Sequence, residues 1–306
     1  MATMLLAILA ALSPQEISAA DKKKIDAARA AFEKAPEDPK AAFELGRLLA
    51  GLAGQWEEAI PLLLKSGDKD WAAAAEKDLV TKDTAFHSVE AADAWLAIAA
   101  KQKPFAVRLK ERALMHFAEA WPKTEPGPTR EIIRGKLRSL QAKGPESKAL
   151  GAFPPGGWSS TNRAGADREF AHSGATSVKV LAGDPKVKSP QSFFIVDALC
   201  QPDVKVSFSM WVLTSGGESG MGRVHLKFRN DKQGAGEHLA MHTITVNPDL
   251  PIWTQLSNEV VAPAGTVKVE LAFGFGGAVG GAAWVDDVSM KFNGREQIKN
   301  GSFDGK

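Results

Sequence analysis

Tyrosine is absent from this 306-residue sequence, and Cys200 is its sole cysteine. A lone cysteine excludes an intramolecular disulfide, which is unusual for a eukaryotic secreted protein and tolerable for a bacterial exported one. We expect Cys200 to be a small buried hydrophobic residue. Because tyrosine is common in polar binding clefts, its absence leaves phenylalanine and tryptophan as the aromatic residues for a binding platform.

Charge of one sign is not in excess either. The sequence has 38 Lys and Arg against 36 Asp and Glu, a formal net charge of +2. This balance creates no overall field that would favour nucleic acid, so we predict no nucleic-acid partner.

Long hydrophobic runs are missing as well. The apolar run from Met4 to Leu12 is too short to span a bilayer. Small residues at 18–20 and charged residues after them complete the pattern of a secretory signal. We therefore predict a signal peptide at residues 1–20, export to the periplasm or cell surface, and no membrane span in the mature form. The alternative is an amphipathic helix, which fits the lack of Lys or Arg before the run.

Residues 21–145 repeat apolar side chains at three- and four-residue steps, which predicts helices. Short breaks such as "PEDP" at residues 36–39 predict antiparallel helical hairpins. Leu45-Gly46, Ala53-Gly54 and the segment 56–59 resemble the tetratricopeptide repeat, where small residues let two helices approach closely. The resemblance covers residues 25–66 and implies that this half docks a protein partner.

Gly and Pro cluster where the helical period ends, so we predict a linker at residues 146–152. In residues 153–306 the period becomes two, as in "VKVSFSMWVLT" and "TVKVELAFGF". Many short alternating strands without intervening helices predict a β-sandwich or barrel. The fold class that follows is a two-domain α plus β protein, with α-helical hairpins first and an all-β unit second.

Three segments of the second half occur in the order and spacing of a known family: "GAFPPGGW" at 151–158, "FAHSGATSVKV" at 170–180 and "AAWVDDVSMKF" at 282–292. Together they resemble the carbohydrate-binding modules of families four and nine, which are galactose-binding-like jelly-roll sandwiches. The resemblance implies a jelly roll over residues 153–306 and a glycan ligand. Since one fold hosts many unrelated ligands, it bears more on the fold than on the ligand.

Alternation within the strands places Trp211 on an otherwise polar outer face and turns Arg223, His225 and Lys227 outward. An exposed indole ringed by polar groups can cover the apolar side of a sugar while those groups bind its hydroxyls. We therefore predict these four residues as a carbohydrate-binding site. The alternative is that Trp211 packs under a loop or against the helical half.

Asp286 shares its strand face with Trp284, Val288 and Met290, which predicts an inward carboxylate that needs a cation or several donors. In the resembling modules the first Asp of this pair often binds structural calcium, so the resemblance implies a metal site at Asp286. The alternative is that backbone amides satisfy the carboxylate.

The C-terminal tail carries the family's Asn-Gly-x-Phe-acidic motif at residues 300–304. That motif normally lies in the first strand, where Pro154 here stands in place of the acid. We predict that residues 298–305 pair as an edge strand beside the first strand and bring Asp304 to the calcium. The alternative is that the tail is the relic of a second module.

Catalytic motifs are absent from the sequence, which has no Gly-x-Ser-x-Gly elbow, His-Glu-x-x-His helix or phosphate loop. We predict a non-catalytic exported binding protein, whose sandwich binds a glycan and whose helices dock a protein. The alternatives are a protein scaffold without a sugar ligand and, less favoured, a polysaccharide-active enzyme.

Overall fold

The computed structural model describes residues 17–80, 84–144, 151, 158–160, 163–182, 192–215, 221–230, 238–276, 281–298 and 301–304. The predicted signal run at Met4–Leu12, most of the predicted linker, and Pro154 lie outside these ranges. The chain forms two compact units, here called the helical unit (Leu12–Leu140) and the β unit (Gln141–Lys306, to which Met1–Ala11 are assigned). The prediction of a two-domain α plus β protein is confirmed.

The described residues of the first half form seven α-helices. Their bounds are Ala19–Lys34 (α1), Pro39–Leu48 (α2), Trp56–Leu64 (α3), Lys69–Leu79 (α4), Ala85–Lys101 (α5), Ala106–Ala120 (α6) and Pro128–Gln141 (α7). Asp38 and Asp68 begin α2 and α4 by accepting hydrogen bonds from backbone N–H groups of the first turn. A π-helical turn, Leu49–Ala53, continues α2 and ends at Gly54 with φ 66°, the left-handed conformation that glycine adopts without strain.

Aromatic packing and one buried charge hold the helical unit together. Trp71 and Trp95 are buried with ring centroids 6.0 Å apart. Beside them Asp78 accepts hydrogen bonds from the Trp95 indole and the Arg112 guanidinium and lies 2.9 Å from the His116 ring. Burial opposes the charge of Asp78, but the hydrogen bonds from His116 and Arg112 outweigh it and lower the pKa of the carboxyl. None of the helices in the described ranges has the length and apolarity to cross a bilayer.

The β unit contains two antiparallel sheets. The five-stranded sheet has the order β1-β4-β9-β6-β7, and the six-stranded sheet has the order β2-β3-β10-β5-β8 with β11 paired to β10. The strands are Trp158–Ser160 (β1), Ala164–Asp167 (β2), Ser177–Leu181 (β3), Ser192–Leu199 (β4), Lys205–Ser215 (β5), Met221–Arg229 (β6), Ala240–Val246 (β7), Thr254–Val261 (β8), Lys268–Gly276 (β9), Ala282–Phe292 (β10) and Arg295–Glu296 (β11).

Alternate residues of the two sheets form the main core. The inward residues predicted for β5 and β6 are buried, namely Val206, Phe208, Met210 and Val212 on β5, and Val224, Leu226 and Phe228 on β6. Cys200 is buried as expected. Burial of this many apolar side chains is the main favourable contribution to the stability of the sandwich.

A second, smaller aromatic cluster lies on the outer face of the six-stranded sheet. It contains Phe170, Trp211, Leu213, Trp253 and Trp284. Register pairs Trp284 with Leu213 and Asp286 with Trp211 across β10 and β5. The segment 167–173 covers part of this face, since Phe170 packs on Trp284 at 4.8 Å and the Trp284 indole donates to Asp167.

Candidate functional site

The outward face of the five-stranded sheet carries most of the polar side chains predicted for a binding site. Pairing register places Lys227 of β6 beside Glu270 of β9, and Glu270 beside Asp197 of β4. The neighbouring row places His225 beside Ala272 on one side and Thr243 of β7 on the other. Arg223, His225 and Lys227 therefore lie together, as the sequence predicted, on the face that points away from the main core.

Ion pairs organise this face. Glu270 accepts from Lys227 Nζ at 2.7 Å and lies 3.0 Å from Arg229 Nη2. Asp197 forms an ion pair with Lys268. Because Glu270 is mostly buried between its two partners, the positions of Lys227 and Arg229 are fixed more firmly than those of exposed surface cations.

His225, like Glu270, is mostly buried. Its Nδ1 lies 2.9 Å from Thr243 Oγ1. Burial, together with the neighbouring charges of Lys227 and Arg223, lowers the pKa of the imidazole, although Glu270 opposes the shift. The ring is therefore neutral at pH 7, a state in which it has both a hydrogen-bond donor and an acceptor.

Small residues occupy the central strand between these polar groups. At its outward positions β9 has Ala272 and Gly274, which pair with His225 and Arg223 of β6. Both positions are buried, so the neighbouring side chains close over this part of β9. The accessible charged groups of the face lie around it, at Lys227, Arg229, Lys268 and Asp197.

Trp211 does not belong to this face. It lies on β5 in the six-stranded sheet, so the sandwich separates it from Arg223, His225 and Lys227. The expectation that it is exposed is wrong, because only 7% of its surface is accessible. The His172 ring stacks on the indole with centroids 3.9 Å apart and planes at 12°. The alternative considered from the sequence, that Trp211 packs under a loop, describes its position.

His172 and Ser173 form a polar cluster with Asp287. His172 Nδ1 lies 2.6 Å from Asp287 Oδ2, and the Ser173 hydroxyl donates to Asp287 Oδ1 at 2.5 Å. Both side chains thus bond to the carboxylate and not to each other. In this arrangement the serine has no imidazole base, which an activated serine nucleophile requires. The cluster holds the turn in place over Trp211.

Asp286 was predicted to face the main core, and this orientation is wrong. The register between β10 and β5 shifts between Asp286 and Ser289, and Asp287 has φ 45°. This irregularity reverses the alternation, so Val288 and Met290 enter the main core whereas Trp284 and Asp286 point to the opposite face. It also lets the Asp287 carboxylate reach His172 and Ser173, whose backbone N–H groups bond to Asp286.

Asp286 is nevertheless completely buried. Its Oδ2 accepts from the backbone N–H groups of His172 and Ser173, and its Oδ1 accepts from that of Asp287. Burial and the adjacent charge of Asp287 raise the pKa of Asp286 to about 8, although these three hydrogen bonds oppose the shift. Backbone amides therefore satisfy this carboxyl, as in the alternative considered from the sequence.

The C-terminal tail returns to the sandwich as a turn, so the predicted edge strand is wrong. Gly301 accepts from the Val288 N–H, and Phe303 is buried in the main core against Trp158 of β1, with ring centroids 5.1 Å apart. Asp304 Oδ1 accepts from the N–H groups of Ala175 and Thr176. The tail thus completes this sandwich, and the relic alternative is not needed to explain its motif.

The described residues do not fit a calcium ion shared by Asp286 and Asp304. Both oxygens of Asp286 and one of Asp304 already accept N–H groups, whose positive ends would face the metal. Calcium requires six to eight oxygen ligands, and the described ranges contain no group of three His, Cys, Asp or Glu side chains placed to hold a metal.

Two residues of the polar face, Arg229 and Glu270, were not among the predicted site residues. The alternation of inward and outward side chains along β6 and β9 places both residues on the outward face, so this orientation could be predicted from the sequence. The sequence did not predict the order of the strands in the sheet. Two strands, β7 and β8, lie between β6 and β9 in the sequence, and the pairing of β6 with β9 is needed to see that Glu270 joins Lys227 and Arg229.

No protein-family model matches the chain, and no curated protein matches it. Solved structures that resemble its C-terminal half include carbohydrate-binding modules. The second family 16 carbohydrate-binding module has a TM-score of 0.35 at 13% identity, covering 43% of this chain and 86% of that chain. The CBM22-2 xylan-binding domain from Paenibacillus barcinonensis has a TM-score of 0.34 at 18% identity, with coverages of 44% and 91%. The enzymatically active domain of bacteriophage CBA120 tailspike protein 4 has a TM-score of 0.37 at 14% identity, covering 50% of this chain but 22% of that protein.

Proposed function

We propose that the β unit binds a glycan without catalysing a reaction, and that it does so on the outward face of the five-stranded sheet. The observation that carries the proposal is the row of polar side chains from β6, β9 and β7, in which Lys227 and Arg229 keep accessible surface. Sugars are recognised by arrays of hydrogen-bonding groups held at fixed positions. Lys227, Arg229 and Glu270 are held in this way by their mutual ion pairs.

The geometry favours this face over the one that contains Trp211. Binding to Trp211 would require displacement of the His172 ring and of the hydrogen bonds between the turn and Asp287. Lys227, in contrast, retains accessible surface while bonded to Glu270. We therefore propose that Arg223, His225 and Lys227 bind the glycan. Trp211 does not bind it and instead supports the turn that contains His172.

Affinity electrophoresis through gels that contain soluble polysaccharides tests the proposal. The wild-type chain should be retarded by at least one polysaccharide, and Lys227→Ala should bind it about tenfold more weakly, as expected for one hydrogen bond from a charged donor. Lys291→Ala, which removes a cation from the other sheet, is the matched control and should bind like the wild type. Absence of retardation by every polysaccharide, or equal losses in both variants, would contradict the proposal.

A second candidate function is docking of a protein partner by the helical unit. Phe86 on α5 is 65% exposed and borders a groove of about 530 Å³ together with Val89, Pro126 and Pro128. Exposed aromatic side chains beside a groove are typical anchors for a protein partner. Cross-linking of the full chain in its host should yield a partner that Phe86→Ser loses and Val107→Ser, at a site 61% exposed on α6, retains. Equal cross-linking of both variants would indicate incidental contacts and contradict a docking site at Phe86.

Export belongs to the same proposal, since it would bring the chain to polysaccharides outside the cytoplasm. It is supported by the apolar run from Met4 to Leu12 and the small residues after it. Sequencing the N-terminus of protein made in its own host should show that residues 1–20 have been removed. An intact Met1 in the mature protein would contradict export.

A further inference from the structure

We infer that the glycan bound by this face is acidic, with carboxylate or sulfate groups that pair with the cations of β6 and β9. This inference rests on the proposed function, because it concerns the ligand class of the same face. It follows from which charges the face contains, which of them are already paired, and how the cations are spaced.

The described outward positions of β4, β6 and β9 carry more cations than carboxylates. The carboxylates are Asp197 and Glu270, and the cations are Arg223, Lys227, Arg229 and Lys268. These positions carry a formal charge of +2, and two of the cations, Lys227 and Arg229, share one carboxylate, Glu270. On the six-stranded sheet, Lys205 pairs with Glu259, and Lys291 lies in the next row, so no comparable excess of cations is concentrated there.

Both carboxylates of the face are engaged. Glu270 uses one oxygen for Lys227 and the other for Arg229, and Asp197 pairs with Lys268. A hydroxyl of a neutral sugar donates as well as accepts, so it needs an acceptor from the protein. A carboxylate or sulfate accepts without donating and carries negative charge, so it can bond to the cations of this face more strongly than a neutral hydroxyl can.

Donor capacity remains on the same face. The side chains of Lys227 and Arg229 each keep about a fifth of their surface accessible, 21% in both cases. Lysine has three N–H donors and arginine has five, so Lys227 and Arg229 are not saturated by Glu270 alone.

The three cations of β6 also lie in one row along the strand. Arg223 and Lys227 are four residues apart on β6, and Lys227 and Arg229 are two residues apart. Residues two apart in a strand are separated by about 6.7 Å. An extended polyanion that follows β6 can therefore contact several cations at once. Each additional contact within one chain raises the apparent affinity without a new binding event from solution.

Matched polysaccharide pairs test this inference. Polygalacturonate is compared with its fully methyl-esterified form, and dextran sulfate with dextran, so that each pair differs in charge on one backbone. We expect the full chain to bind one acidic member at least about tenfold more tightly than its neutral partner, with weaker binding as salt is raised from 50 to 500 mM. The pair that shows the preference distinguishes carboxylate from sulfate as the recognised group.

Variants separate a specific site from general attraction to polyanions. Arg229→Gln should reduce the preference for the acidic member about tenfold, whereas Lys291→Gln should leave it unchanged. Equal loss in both variants, or equally tight binding of single-stranded DNA, would overturn the inference. If neutral polysaccharides bind as well as acidic ones, the acidic ligand is wrong and the proposed glycan function stands. If no polysaccharide binds, the proposed function itself fails.

Discussion

Trp211 shows at the scale of one residue what alternation along a strand can and cannot predict. The alternation of inward and outward side chains correctly predicts that Trp211 lies outside the main core, which is between the sheets. It does not predict that the segment 167–173 folds over the opposite face and buries the indole under His172. A residue outside the core can therefore be as buried as one inside it when a loop forms a second apolar layer.

Substitution of Trp211 should accordingly affect stability before binding. Trp211→Ala removes a buried indole and leaves a cavity beneath His172, so we expect a loss of about 3–5 kcal/mol in the free energy of unfolding. Urea unfolding followed by circular dichroism measures this loss. Any variant that remains folded should retain glycan binding. A stable Trp211→Ala protein that no longer binds the polysaccharide would show that Trp211 belongs to the binding site, and would contradict this account.

Asp286 gives a prediction about pH. Its pKa is about 8 in the folded protein against an ordinary value of 3.8, so between these values the folded state keeps a proton that the unfolded state has lost. The contribution of Asp286 to stability is therefore complete below pH 4 and is lost as the pH rises towards 8. Asp286→Asn does not titrate, so its urea midpoint should fall less than that of the wild type between pH 5 and pH 8. Equal falls in both proteins would show that Asp286 does not titrate in this range.

At the scale of elements, local patterns predict most strands and turns of the β unit but not all of them. The alternating segments of β5, β6, β9 and β10 are strands, whereas β4 was not among the predicted strands. Its residues 193–196 are four consecutive apolar residues, so alternation is hidden in the sequence. The irregularity at Asp287 was also missed, because the shift in register depends on pairing between β10 and β5.

The tail and the turn at residues 172–176 form one supporting element. A Cβ built on Gly174, whose φ is 52°, would overlap the Asp304 carboxylate, and one built on Gly301 would overlap the Val288 carbonyl oxygen. Glycine at both positions therefore lets the tail approach the sandwich closely. Phe303 then fills the core beside Trp158, and Asp304 holds the turn through the Ala175 and Thr176 amides.

Asp304→Ala should lower stability by about 1–2 kcal/mol, because two hydrogen bonds to a charged acceptor at the surface are lost. Thermal melts with and without calcium measure the effect, and Ser302→Ala in the same tail is the control. We expect no rise in melting temperature on adding calcium to any of these proteins. A rise in the wild type that Asp304→Ala abolishes would restore the predicted calcium site, because an ion that binds the folded form alone stabilises it.

At the scale of the whole molecule, the sequence predicts two units of different secondary structure, and the structure confirms both. The polar residues Arg223, His225 and Lys227 were identified from one strand. Their association with Arg229 and Glu270, and their separation from Trp211, depend on the order of strands in two sheets. Strand order arises from contacts between residues far apart in sequence, which local periodicity does not encode. The tetratricopeptide resemblance of the helical unit stays a prediction.

The central claim is that a glycan binds the outward face of the five-stranded sheet, and lysine footprinting tests it most directly. Lys227 and Lys268 lie on that face, whereas Lys205 and Lys291 lie on the six-stranded sheet. Acetylation rates of the four lysines are measured by mass spectrometry with and without a saturating polysaccharide. We predict slower acetylation of Lys227 and Lys268 in the complex and unchanged rates at Lys205 and Lys291. Protection of Lys205 and Lys291, with Lys227 and Lys268 unchanged, would contradict the claim.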